Sequence, residues 1–320
     1  VPDANATSVL AVYDRPEEFK DVLESRFPDI AFGYATSPGN VEDALAAANP
    51  EIVFSIKHPG FPGPAHIPII SYPSVKWLQV GGSGYEDFLG WDATRITLTN
   101  CAGVLSRFLA ETVTGALLML NGNFLTYVKQ QKEKVWRQHG FQPLRDQTLL
   151  IVGVGAVGGC VADNAKALGM RVLGTRRSKT PHASVDEMHV PEALPDLLGR
   201  ADVISLHVRL NEETTHLIDR QAIANMKADS ILINTARGPL VEESALIDGL
   251  RSGHLRAAYL DVFDTEPLPA DSPLWHIDNL FITPHMADSV SGWARRFAIF
   301  FADNLDRWLA DEPLLNVVEG

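Results

Sequence analysis

The chain has 320 residues, longer than a single hydrophobic core usually serves, so two domains are expected. With 46% hydrophobic and 21% charged residues it is a globular chain, not a disordered one. A formal net charge of −13 excludes a general surface for nucleic acid or anionic membranes, though not a local basic pocket.

The opening stretch VPDANATSVLAVY lacks a charged segment followed by an apolar one. No run of ~18 apolar residues occurs either, so neither a signal peptide nor a membrane span is expected. Short apolar runs bounded by turn residues then recur: SVLAVY (8–13), IAFGYA (30–35), EIVFSI (51–56), VKWLQV (75–80) and RITLTN (95–100). Helix-like segments lie between the early ones, which predicts a doubly wound α/β unit with a parallel sheet. The segment KHPGFPGPAHIPIISYP (57–73) is too rich in Pro and Gly for a regular helix and reads as a shaped loop near a strand end.

From Val104 to about Arg137 the period changes. Val104, Leu105, Phe108, Leu109, Thr112, Val113, Ala116, Leu117 and Leu120 recur at helical spacing, which predicts one long helix leaving the first unit. A second set of strands follows: LLIVGV (149–154), RVLGT (171–175), DVISLHV (202–208), SILINTA (230–236), AAYLDVF (257–263) and LFITPH (280–285). The last helical segment, Ser289 to Leu309, carries Phe297, Phe300, Phe301, Leu305, Trp308 and Leu309 on one side and is expected to return to the first unit. The expected domains are therefore 1–101 with 288–320, and 102–287. Cys101 and Cys160 lie far apart without metal-ligand spacing, so they read as small buried hydrophobes in a reducing, cytoplasmic compartment, with no metal site.

The most specific segment is LLIVGVGAVGGCVADNAKALGMRVLGTRRS, Leu149 to Ser178. Gly153, Gly155 and Gly158 have G-x-G-x-x-G spacing between an apolar strand and an apolar helix. The first lets the chain turn sharply, the second admits a pyrophosphate against bare backbone, and the third lets helix and strand pack closely. That is a dinucleotide site. At the end of the next strand, where a carboxylate usually accepts from ribose hydroxyls, stand Arg176, Arg177 and Ser178. Two guanidiniums and a hydroxyl suit a 2′-phosphate, so NADP(H) is the expected cofactor and NAD(H) the weaker alternative.

Three later strand ends carry polar residues at the ligand edge of an open α/β sheet: Arg237 in INTARGPLVEESAL, Asp261 and Glu266 in LDVFDTEPLP, and His285 in ITPHMAD. Taken in order, QVGGSGYEDF, LAETVTGALLML, GVGAVGG, LHVRLNEETTHLI, INTARGPLVEESALIDGL, AAYLDVFDTEP and ITPHMA resemble the D-isomer-specific 2-hydroxyacid dehydrogenase family over nearly the whole chain. The resemblance implies a flavodoxin-like substrate domain joined to a Rossmann cofactor domain. It also implies reversible reduction of a 2-oxo acid to a D-2-hydroxy acid, with glyoxylate and hydroxypyruvate reductases as the nearest functional analogues.

By that resemblance Arg237, Glu266 and His285 form the catalytic trio. An imidazole titrating near neutrality can give a proton to a carbonyl oxygen as hydride arrives. A glutamate on its other ring nitrogen fixes the tautomer and favours the protonated ring. A guanidinium fork holds the substrate's carboxylate and carbonyl oxygen. Gly82, Ser83 and Gly84 would offer backbone amides to the carboxylate, as an anion nest does. Phosphite dehydrogenases resemble the family but carry lysine where Ser83 stands, so a carboxylate substrate is favoured over phosphite.

Cofactor contacts carry over to Gly153, Gly155, Ala156, Val157, Gly158, Arg176, Arg177, Ser178, His207, Val208, Arg209, Thr214, Thr235, Ala236, Arg237, Asp261 and His285. Three of these have a second reading. Asp261 either accepts from the nicotinamide amide or makes local hydrogen bonds; Thr214 either approaches the pyrophosphate or caps a helix. Arg209, where the family commonly has Pro, either adds to the field around the 2′-phosphate or faces solvent. Lys57, His58, Phe61, Trp293, Trp136 and His139 either touch substrate or pack. The expected partners are a small 2-oxo or 2-hydroxy acid and a second copy of the chain in a homodimer, with no nucleic acid and no membrane. The rival class is a nucleotide-sensing binding protein such as the corepressors that share this fold.

Overall fold

The computed structural model describes residues 7–58, 60–85, 88, 90–178 and 180–318, so Glu86 and Asp87 of the QVGGSGYEDF loop lie outside the described residues. The chain divides into two compact units, 1–105 with 290–320 and 106–289. In the first, β1 (Ser8–Val12), α1 (Lys20–Arg26), β2 (Ala31–Ala35), α2 (Val41–Ala48), β3 (Ile52–Ile56), α3 (Ile67–Ser71), β4 (Trp77–Gly81) and β5 (Thr97–Asn100) follow in order. In the second come α4 (Ser106–Asn121), α5 (Phe124–Glu133), β6 (Thr148–Val152), α6 (Ala156–Ala167), β7 (Arg171–Thr175), β8 (Glu187–His189), α7 (Leu194–Leu198) and β9 (Val203–Leu206). It closes with α8 (Arg220–Asn225), β10 (Ser230–Asn234), α9 (Glu243–Arg251), β11 (Leu255–Leu260) and β12 (Leu280–Ile282), after which α10 (Trp293–Leu309) belongs again to the first unit.

All pairings within both sheets are parallel. The first sheet has the order β2-β1-β3-β4-β5, the flavodoxin-like arrangement. Its strands read as continuous apolar runs because both faces are covered. Leu10, Val53, Leu78 and Leu98 pack with Leu45 of α2 and Ile69 of α3. On α10, Phe301 stacks on Phe54 at 4.8 Å and Trp308 on Trp77 at 5.5 Å. The C-terminal segment also pairs with β5, through Asn100 N–H to the Asn316 carbonyl (3.2 Å) and Val318 N–H to the Leu98 carbonyl (2.8 Å).

The second sheet has the order β12-β11-β10-β9-β6-β7-β8, a Rossmann sheet extended by one strand. One face buries Leu150, Ile204, Leu232 and Leu260 with Leu197, Ile223 and Leu246 from the helices. The other buries Ile151, Val203, Ile233 and Tyr259 against Val113 and Leu117 of α4 and Val161 of α6. Each such side chain contributes about 1.5–3 kcal/mol relative to exposure.

Three local readings of the sequence are corrected. The long helix expected over 104–137 is two helices bent by 59°. The break falls at Gly122 and Asn123, whose φ of +58° an α-helix cannot accommodate. The Pro-rich loop contains a 3₁₀ turn, Gly63–His66, and the one-turn α3, since Pro64 and Pro68 stand in first turns where a missing N–H costs nothing. Strand β8 was not anticipated; three half-buried residues are too short to show a period. Among the described residues no single helix is long and apolar enough to cross a membrane.

Candidate active site

Each glycine of the 153–158 turn has a distinct surrounding. At Gly153 (φ +100°) a Cβ would lie 2.8 Å from the His207 carbonyl oxygen and from Val208 Cγ1, so the loop after β9 passes directly over the turn. Gly155 caps the N-terminus of α6 and has nothing within 4 Å of its would-be Cβ. At Gly158 a Cβ would fall 2.2 Å from the Gly153 carbonyl oxygen, so only glycine lets α6 lie this close to β6. Exposed amides at a helix N-terminus beside open space form an anion site, which fits a pyrophosphate. Ala156 and Val157 supply the first residues of that helix.

A cleft of about 970 Å³ opens beside this turn and is lined by Gly155, Thr175, Arg176, Arg177, Val208, Arg209 and Thr214, among others. Arg177 extends into solvent and pairs loosely with Glu213 at 3.4 Å. Ser178 Oγ accepts from Thr180 Oγ1 at 2.9 Å. The Thr214 hydroxyl donates to the Arg209 carbonyl (2.7 Å) and its backbone N–H to Asn211 Oδ1 (3.0 Å), so this threonine closes the turn that carries Arg209. His207 lies 2.8 Å from Ser205 Oγ, and burial pushes its imidazole down to about 4. At the end of β10 the buried Thr235 hydroxyl has no hydrogen-bond partner, an orphan that a bound dinucleotide can satisfy.

The Arg237 turn is held by a residue that the sequence reading missed. Asn234, fully buried, accepts from Ala236 N–H (3.0 Å) and donates to the Arg237 carbonyl (2.8 Å). The Arg237 guanidinium donates one N–H to the Ala236 carbonyl at 2.7 Å. At the next residue, Gly238, a Cβ would lie 2.0 Å from the carbonyl carbon of Phe263, so this turn rests on the backbone leading to Glu266.

Glu266 faces both ways. Its Oε1 accepts from Phe263 N–H at 3.0 Å, and its Oε2 lies 2.7 Å from His285 Nδ1. His285 keeps about half of its side chain exposed, with Nε2 as the ring nitrogen left for a ligand. Its backbone adopts φ +50°, rare for a non-glycine residue, and its N–H donates to the Asp261 carbonyl at 2.8 Å.

The local hydrogen bonds open to Asp261 are formed. It is almost wholly buried, and its carboxylate accepts from the N–H groups of Met286 (2.8 Å) and Ala287 (2.9 Å) and from the Thr283 hydroxyl. Thr112 of α4 closes the other side by donating to the Ala287 carbonyl at 2.9 Å. Thr112 was read from sequence only as part of a helical pattern and Thr283 not at all, because a threonine carries no signal of a site until its partner is known.

In the first unit, Gly82 (φ +123°) turns the chain after β4. The Gly82 carbonyl accepts from Cys101 N–H (2.7 Å), and the Ser83 carbonyl from Asn100 Nδ2 (2.9 Å). With their carbonyls held, Ser83 is left exposed and Gly84 half-buried.

A Rossmann sheet with an anion-binding turn and an Arg, Glu and His at its strand ends defines an α/β protein built for a dinucleotide and an acidic substrate. Residues 114–287 match the family described as D-isomer specific 2-hydroxyacid dehydrogenase, NAD binding domain. The chain is 37% identical over 258 residues to a glyoxylate reductase of Korarchaeum cryptofilum, covering 77% of this chain and 76% of that protein. It superimposes on a D-isomer specific 2-hydroxyacid dehydrogenase family protein from Aeromonas salmonicida with a TM-score of 0.87 and 31% identity, covering 98% and 99% of the two chains. The D-isomer specific 2-hydroxyacid dehydrogenase from Xanthobacter autotrophicus, in complex with NADPH and MES, gives 0.84 at 28% identity, covering 98% of each. The chain belongs to the D-isomer specific 2-hydroxyacid dehydrogenase family and is an oxidoreductase.

Proposed function

We propose that the chain reduces a 2-oxo acid to the D-2-hydroxy acid with NADPH, reversibly, as a cytoplasmic glyoxylate or hydroxypyruvate reductase does. The observation that carries this reading is the His285–Glu266 contact of 2.7 Å, with the Gly238 turn after Arg237 packed on the Phe263 backbone that Glu266 also binds. Nicotinamide supplies the hydride. Arg237 binds the substrate carboxylate and orients the carbonyl; the Gly82, Ser83 and Gly84 turn of the first unit offers backbone amides to an anion. Glu266 accepts the Nδ1–H of His285, so Nε2 carries the proton delivered to the carbonyl oxygen. Asp261 acts by holding the His285 turn.

The preference for NADP(H) rests on Arg176 and Arg177, which line the cleft with Arg209 and are followed by Ser178; Glu192 and Glu213 line it too, and a 2′-phosphate would replace Glu213 as the partner of Arg177. A homodimer is supported by exposed Phe124, Val128, Trp136 and Phe141, with Trp136 fully in solvent. Steady-state NADPH oxidation with a panel of 2-oxo acids tests the activity. Tight NADPH binding without turnover of any of them would turn the reading into a nucleotide-sensing protein.

A further inference from the structure

The turn GVGAVGG ends on a glycine that the dinucleotide spacing does not need. Gly159 lies buried in α6, and a Cβ there would stand 2.9 Å from His182 Nε2. A histidine from the segment between β7 and β8 therefore rests on the bare backbone of the helix. Two further contacts continue along α6: Ser184 Oγ donates to Asp163 Oδ1 at 2.6 Å, and Lys166 pairs with Asp186. Gly159, Asp163 and Lys166 stand at i, i+4 and i+7, on one stripe of the helix. The segment is also closed on itself, since Val185 N–H donates to the His182 carbonyl (3.0 Å) and Ser184 N–H to His182 Nδ1 (3.3 Å). Val185 packs against the core that α6 shares with the sheet.

We propose that this seat on α6 sets cofactor specificity: His182, Ser184 and Asp163, with Gly159 making room, are positioning residues that hold Arg176 and Arg177 ready for the 2′-phosphate. This rests on the NADP(H) reading above and adds what keeps the two guanidiniums in place. The basic loop is anchored at its start, where Arg176 N–H donates to the His189 carbonyl at 2.9 Å. Its far end is the seat on α6, and between the two anchors Arg177, Ser178 and Thr180 are exposed. Adjacent guanidiniums repel, and the Arg177 pair with Glu213 is loose at 3.4 Å, so a loop tied at one end would spread over many conformations. Tied at both, it loses less entropy when the phosphate arrives. The same helix offers its N-terminus to the pyrophosphate, so the seat fixes the basic pair relative to that site. A dinucleotide without the 2′-phosphate gains nothing from it.

Calorimetry of the full chain with 2′,5′-ADP and with 5′-AMP tests this without turnover. Two double variants undo the seat from opposite sides. Gly159→Ala with Ser184→Ala displaces the His182 ring from the helix side, because the three nearest atoms that the new Cβ meets all belong to His182. His182→Ala with Ser184→Ala removes both contacts from the loop side. Melting curves check that both proteins are folded, and either one alone decides. The preference for 2′,5′-ADP over 5′-AMP should fall about tenfold or more, with the affinity for 5′-AMP unchanged. An equal loss for both ligands would mark a merely structural role and overturn the inference. A wild-type preference that survives in the variants overturns the inference alone, whereas a wild type that binds the two ligands alike refutes the NADP(H) reading and the inference with it.

Discussion

His285 Nδ1 lies 2.7 Å from Glu266 Oε2, and the opposite carboxylate oxygen of Glu266 accepts from Phe263 N–H at 3.0 Å. The glutamate thus ties the imidazole to the end of β11. His285→Ala should lower kcat by about 10²–10⁴-fold, and Glu266→Gln by roughly 10–10³-fold with little change in the affinity for NADPH. Steady-state kinetics with titrated cofactor separates the two effects; a Glu266→Gln enzyme with full kcat would remove the glutamate from the chemistry.

Asp261 serves three donors from one buried position. Asp261→Ala should destabilise the protein by roughly 2–4 kcal/mol, because two backbone N–H groups and a hydroxyl lose their acceptor. It should also cost activity, since the Met286 and Ala287 amides that fix the turn following His285 lose their acceptor. Denaturation midpoints and kcat are measured together. Wild-type stability with reduced activity would instead favour direct contact with the nicotinamide.

On the proposed function, the basic end of the cleft sets cofactor choice. Arg176→Asp and Arg177→Asp should each lower the NADPH-to-NADH ratio of kcat/KM by about 10–100-fold, the worth of a charge-assisted hydrogen bond to phosphate. Arg209→Ala should raise the Michaelis constant for NADPH more than that for NADH. Equal use of both cofactors by the unmodified protein would refute the assignment.

His207 links stability to pH. Burial holds its imidazole at about 4, below the ordinary 6.5, so the neutral ring is the folded form. A depressed pKa gives stability that is present above the unfolded value and lost as pH falls from 6.5 through about 4. The loss is at most about 3 kcal/mol, and less because the residue is partly exposed. His207→Gln keeps a partner for Ser205 and should flatten the melting temperature across that window. Identical pH profiles for the two proteins would show that His207 carries none of the acid sensitivity.

The strands were legible because parallel sheets bury both faces and leave continuous apolar runs such as LLIVGV and SILIN. The glycine turn was legible because close approach admits no other residue. What escaped was set by partners distant in sequence. Asn234 looks like any strand-end amide until the Arg237 turn folds back on it. Asp261 shows its three donors only once the 283–287 turn folds against it. The bend at Asn123 escaped because the apolar spacing leads smoothly up to it while the local φ does not.

The return of α10 to the first unit has a consequence for how the protein is made. Phe54 and Trp77 lie in strands translated before residues 106–289, but the rings that cover them, Phe301 and Trp308, are translated after those residues. Residues 106–289 form a contiguous unit whose core is complete before α10 emerges. Of the two units, the one begun first is thus finished last, and its aromatic face on β3 and β4 stays uncovered on the nascent chain until α10 emerges.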